Sequence, residues 1–302
     1  MATSPVGSVP VVDRARETEL VRAALVAGRH VLLEGPPGTG KSTLLRSIAA
    51  ADGAAFEFVE GTAELTPARL VGHFDPARVM AEGYTPDVFV DGPLLRAVRD
   101  GSLLYIEEIN RVPEETLNVL VTVMSEREVT VARLGRVPAA AGFRLVAAMN
   151  PFDAIGTARI SGAVYDRVCR VAMGYQEADA EEAIVSAQVP MAGGDIVRRA
   201  VGLVRDTRDH ADLVTGSSVR GAIDMCAIAV ELAGMRATGV SDPSVTLDAA
   251  LVALSGRVRC RDGVSRSAED IISELWQRWF DEVPSREGES GKAPSPAETP
   301  TG

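Results

Sequence analysis

Apolar residues follow two rhythms along this chain, and the change of rhythm falls near residue 175. Upstream of it, short apolar runs recur at Val31-Leu32-Leu33, Phe56-Glu57-Phe58-Val59, Ser102 to Ile106, Phe143 to Met149 and Cys169 to Met173. Each is short, rich in branched or aromatic residues, and reads as a strand. Helical spacing falls between them. Arg16 to Ala27 carries Leu20, Val21, Ala24 and Leu25, and further helices are expected over 43–50, 66–70, 93–98 and 161–168. Pro113 opens another, with Leu117, Leu120, Val121 and Met124 on one face. The segments 128–131 and 135–137 predict a hairpin. Strands alternating with helices predict a parallel sheet wound by crossovers. Downstream the strand signals stop, and 177–188, 195–207, 219–237, 245–257 and 268–280 all read as helices.

This pattern divides the chain into a loosely held N-terminus (1–10), an α/β domain (11–174), a helical domain (175–283) and a disordered tail (284–302) rich in Pro, Ser, Glu and Gly. The segment 72–92 is too long for a plain connection, and is either functional or a small inserted element. No apolar run has the length of a membrane span and there is no signal-peptide core, so a cytoplasmic location without membrane association is expected. A net charge of −11 and an aromatic content of 4% argue against a general nucleic-acid surface and against base-stacking platforms. Cys169, Cys226 and Cys260 lack metal spacing and read as buried thiols. His30 and His73 read as structural or exposed, His210 as a solvated loop residue, and Trp276 and Trp279 as helix packing.

The chemistry concentrates in Gly35-Pro36-Pro37-Gly38-Thr39-Gly40-Lys41-Ser42-Thr43, between an apolar strand and a helix. That context is what a phosphate-binding loop requires. Backbone N–H groups and a helix N-terminus surround a polyphosphate, Lys41 reaches the β- and γ-phosphates, and the Ser42 hydroxyl serves Mg²⁺. A second buried strand delivers Glu107 and Glu108 to the carboxyl edge of the sheet, where open α/β sheets bind ligands. One acid can hold Mg²⁺ and the next can polarise an attacking water. Asn150 ends another apolar strand at the same edge, where its amide can position water. Arg167, before the last strand, and Arg220, at a helix start, are candidates to meet charge on the phosphates, one from a neighbouring subunit and one from the chain's own helical domain.

Together, Leu33-Glu34-Gly35 to Ser42, Glu107-Glu108-Ile109-Asn110-Arg111, Phe143 to Pro151 and Asp166-Arg167 resemble the MoxR-type AAA+ ATPases over roughly residues 11–280. The family pattern has Asp-Glu-Ile-Asn-Arg, and Glu107 stands here in place of its Asp. The resemblance implies a five-stranded αβα nucleotide domain followed by a small all-α lid. It implies a ring, usually a hexamer, with ATP and Mg²⁺ at subunit interfaces. Arg167 matches the arginine-finger position, Arg220 the lid sensor and Asn150 the polar sensor. The segment 72–92 matches an insert placed near the ring pore, and 128–137 the hairpin before the sensor strand. Such proteins remodel protein clients, often with a separate partner carrying a von Willebrand factor A domain. Two other readings share this core: an ATP-binding switch with little hydrolysis, and a nucleic-acid motor.

Overall fold

The computed structural model describes residues 11–151 and 160–280. The expected loose N-terminus and the 284–302 tail lie outside them. Five strands form one sheet: β1 (His30–Glu34), β2 (Phe56–Glu60) and three that follow later in the chain. α1 (Ala15–Val26) precedes β1, and α2 (Lys41–Ala51) links β1 to β2. Next come α3 (Pro67–Val71), β3 (Gly72–Phe74), α4 (Pro76–Glu82), β4 (Phe89–Asp91) and α5 (Pro93–Asp100). Strand β5 (Leu103–Glu107) leads to α6 (Glu114–Glu126) and the hairpin β6 (Glu128–Val131) and β7 (Gly135–Pro138). The sheet is completed by β8 (Arg144–Met149), α7 (Gly162–Tyr165) and β9 (Val168–Ala172).

The order across the sheet is β2-β5-β8-β1-β9, all parallel. Alternate side chains of the central strands serve opposite layers. Leu32, Leu104, Ile106, Leu145 and Ala147 pack with residues of α3, α5 and α6. Val31, Leu33, Leu103, Tyr105, Val146 and Ala148 pack with Val21 of α1 and with Leu44, Leu45 and Ile48 of α2. Both faces are covered, which is why these strands read as continuous apolar runs rather than alternating ones. The strand β9 is an edge, and its outward positions are exposed, Cys169 among them. That corrects the expectation of three buried thiols: Cys226 alone is fully buried, and burial lifts its thiol pKa to about 12. The helix α7 is shorter than expected because β9 already begins at Val168.

The segment 72–92 is an inserted element: β3 and β4 pair antiparallel around α4, with Phe74 set edge-on against Phe89 and Tyr84. The expected hairpin is present as β6 and β7. His30 is buried, its Nδ1 accepting a hydrogen bond from the Leu145 N–H at 2.9 Å, so it joins two strands and faces no ligand. His73 is exposed on β3.

The chain forms two compact units. The first is residues 11–190 with Ser218–Ile223 and therefore includes α8 (Ala178–Gln188); the second is Met191–Ser217 with 224–280. The remaining elements are α9 (Gly194–Asp209), β10 (Leu213–Thr215), α10 (Val219–Arg236), α11 (Pro243–Leu254), β11 (Arg259–Cys260) and α12 (Ala268–Phe280). The second unit is mostly helical, but β10 and β11 pair antiparallel, so strands do recur after Tyr175. Trp276 is buried and donates to Thr246 Oγ1. The Trp279 ring lies where a Cβ on Gly202 would stand, so α12 packs closely on α9. His210 is not a solvated residue. Its side chain is 11% exposed, its Nδ1 accepts from the Asp212 N–H, and its Nε2 is 3.8 Å from Glu274. No helix among the described residues is long and apolar enough to cross a membrane.

Candidate nucleotide site

The site is built where β1, β5 and β8 end side by side. After β1 the chain turns through the phosphate loop into α2, with Gly38 at φ 77° and Gly40 at φ 82°. These are left-handed conformations that side chains disfavour. A Cβ on Gly38 would also stand 2.4 Å from Ser218 Oγ. Thr39 is buried and its hydroxyl donates to the Pro36 carbonyl at 3.0 Å, while Pro37 is exposed. Lys41 is 8% exposed, and its ammonium donates to the carbonyls of Gly35 (2.8 Å) and Pro36 (2.9 Å). Burial pushes its pKa down. The carboxylates of Glu108 and Glu107 oppose that shift, and the guanidiniums of Arg220 and Arg14 add to it. Lys41 therefore feels two carboxylates and two guanidiniums of the first unit.

The period-2 geometry of β5 explains what meets Ser42. Residues 103, 105 and 107 point to the α2 side, and Ser42 lies in the first turn of α2. The Ser42 hydroxyl donates to Glu107 Oε1 at 2.6 Å and lies 3.2 Å from the Tyr105 hydroxyl. Tyr105 is fully buried, and burial holds its phenol pKa well above the ordinary value. The next residue after β5, Glu108, has φ 53° and ψ 46°, a left-handed conformation at a non-glycine position. Backbones held there store strain, and such strain concentrates at functional sites. Glu108 Oε2 is buried without a hydrogen bond, and Arg111 Nε lies 3.5 Å from it.

Asn150 follows Met149, whose carbonyl accepts from the Gly35 N–H at 3.2 Å, so it stands beside the root of the phosphate loop. Arg220, Thr43, Gly38 and Gly40 line a cavity of about 120 Å³ in the first unit, with Val11 and Val12 on its apolar wall. Arg167 is not drawn to this cluster. It donates to Ser125 Oγ at 2.5 Å and to the Ala163 carbonyl at 2.8 Å.

One residue escaped the sequence reading. Arg14 is 6% exposed and lines the same cavity. It donates to the carbonyls of Thr39 (3.0 Å) and Gly174 (2.6 Å) and pairs with Glu17 at 2.8 Å. Its partners are backbone carbonyls 25 and 160 residues away, which no local pattern announces. The available signal was no more than an arginine just before an amphipathic helix.

The residues fit a magnesium nucleotide. Among the described residues no group of three or more His, Cys, Asp or Glu side chains could hold a metal alone. Mg²⁺ is usually held by one or two protein oxygens plus phosphates and water, and the joined Ser42 hydroxyl and Glu107 carboxylate offer that donor set.

Comparison with known proteins gives consistent results. The chain is 29% identical over 211 residues to an uncharacterized protein of Staphylococcus aureus (strain USA300), covering 68% of this chain and 80% of that one. A similar match, 29% over 210 residues, links it to an uncharacterized protein of Staphylococcus haemolyticus (strain JCSC1435), covering 68% and 79%. Among solved structures, a mutant of Thermotoga maritima RuvB superposes with a TM-score of 0.53 at 15% identity, covering 80% of this chain and 70% of that one. At that identity the likeness concerns the fold. Residues 30–168 match the model of the AAA domain, dynein-related subfamily.

Proposed function

We propose that the chain is an ATP-hydrolysing AAA+ protein of the MoxR type that works as an oligomeric ring to remodel a protein client. The observation that carries the reading is the Ser42–Glu107 hydrogen bond, which joins the phosphate loop to a strand end, with Glu108, whose Oε2 is buried without a hydrogen bond, next in the chain. Lys41 exchanges its two loop carbonyls for phosphate oxygens. Ser42 and Glu107 would hold Mg²⁺, which would supply positive charge against that of the polyphosphate. Glu108 accepts a hydrogen bond from the attacking water and polarises it, and Asn150 aligns that water. A bond forms from the water oxygen to the γ-phosphorus as the bond from that phosphorus to the bridging oxygen breaks; the water's proton passes by way of Glu108 to the phosphate released, and the bridging oxygen leaves with ADP. Arg220 meets the phosphates from the same chain, and Arg167 of each subunit meets those of its neighbour. The hexameric ring, the cytoplasmic location and a separate von Willebrand factor A partner belong to the same reading. The net charge of −11 favours a protein client over nucleic acid.

Replacing Glu108→Gln removes the carboxylate that activates water and keeps the shape. ATP turnover is expected to fall at least about 100-fold, with ATP affinity within about threefold of the wild type. Turnover at the wild-type rate would contradict the assignment of Glu108.

A further inference from the structure

The phenol of Tyr105 has no part in the reading above. Its ring is one of a packed set, 5.9 Å from Phe56 and 5.8 Å from Phe58, and a phenylalanine would fill that space equally well. The hydroxyl is the part that packing does not require. Its position can be read from donor counting. Ser42 has one hydrogen and donates it to Glu107, because an ionised carboxylate only accepts. At the 3.2 Å contact the remaining hydrogen is therefore the phenol's, and Tyr105 donates to Ser42 Oγ. The three groups form one directed chain: Tyr105 to Ser42 to Glu107. A serine oxygen has two lone pairs. The phenol occupies one and leaves the other in a fixed direction.

Resting on the magnesium assignment of Ser42 and Glu107, we propose that Tyr105 is a positioning residue for the metal, its hydroxyl fixing which lone pair of Ser42 is presented to Mg²⁺. The phenol never touches the metal. It holds the serine rotamer through a hydrogen bond, as groups bonded to a metal ligand commonly do. Placing it there takes only the strand period: positions 105 and 107 share a face, and that face looks at the first turn of α2.

The test uses the full chain with Mn²⁺ in place of Mg²⁺ and ADP as the nucleotide. Bound metal is read from the loss of the free-Mn²⁺ EPR signal beyond that caused by ADP alone. Tyr105→Phe is expected to raise the Mn²⁺ Kd about tenfold while metal-free ADP binding stays at the wild-type value. Tyr105→Met, which fills the site without a hydroxyl, should do the same and serves if the phenylalanine variant folds poorly. In a Ser42→Ala background, Tyr105→Phe should add no further loss, because the phenol acts through that serine. Wild-type Mn²⁺ affinity in both Tyr105 variants overturns the proposal, as does an equal additional loss in the Ser42→Ala background. If Ser42→Ala and Glu107→Gln bind Mn²⁺ as the wild type does, the magnesium assignment itself fails and the proposal falls with it.

Discussion

The two compact units use charge in opposite ways. In the first, charged side chains are buried: Arg14, Glu34, Lys41 and Glu181 are each 9% exposed or less. In the second, no Asp, Glu, Lys or Arg among the described residues is buried, and the ion pairs lie at the surface, as in Arg236–Asp248, Arg266–Glu274 and Arg278–Asp206. Burying a charge is expensive and is tolerated only where partners compensate it. Arg14 and Lys41 both donate to carbonyls of the loop around Thr39, so these two buried cations meet at the end of the sheet where the candidate site lies. The second unit is held by apolar helix packing, with the charges left to water.

That contrast can be broken by removing one charge from each unit. Arg14→Ala strands the Glu17 carboxylate and the carbonyls of Thr39, which is buried, and Gly174, and is expected to destabilise the first unit by about 3 kcal/mol in urea unfolding. A loss below about 1 kcal/mol would mean that the buried cation is not structural. A smaller effect comes from pH. Burial, with help from Arg144 and Arg127, lowers the His30 pKa to about 4, against about 6.5 unfolded. The unfolded chain then binds more protons between these values, so the contribution is complete above about pH 6.5 and is lost as pH falls toward 4. The loss should amount to no more than about 3 kcal/mol, and His30→Asn should flatten that part of the stability profile. The smallest change is expected for Arg236→Ala in the second unit. Its side chain is 37% exposed, and unfolding should move by no more than about 0.5 kcal/mol.

Much of the first unit was legible because its strands are covered on both faces. The runs at β1, β5 and β8 are almost wholly apolar, and the phosphate loop follows directly from the first of them. Elements shorter than a period were not legible. Strands β10 and β11 have three and two residues, too few to show alternation, and are held by a pairing between distant parts of the chain that the sequence does not display. Exposure at an edge was missed for a related reason: Cys169 reads as part of an apolar run, and only the strand order places β9 outermost. Within the candidate site, Lys41, Ser42 and Glu107 could be named because local motifs carry them. Arg14 could not, since its role lies in contacts to distant carbonyls. Tyr105 was in plain view as an apolar strand residue, and only its position opposite Ser42 gives its hydroxyl a purpose. Arg167 bonds to Ser125 and Ala163 rather than to the cluster, so the role proposed for it rests on its motif and not on a contact within the chain.

The most direct test of the ring ATPase is ATP turnover per subunit across a dilution series of the pure protein, with the oligomeric state followed by sedimentation at each concentration. The rate per subunit is expected to rise with concentration to a plateau that tracks assembly, because in the proposed ring Arg167 of a neighbour completes each site. An undiminished rate per subunit at concentrations where sedimentation finds only monomer would contradict the account.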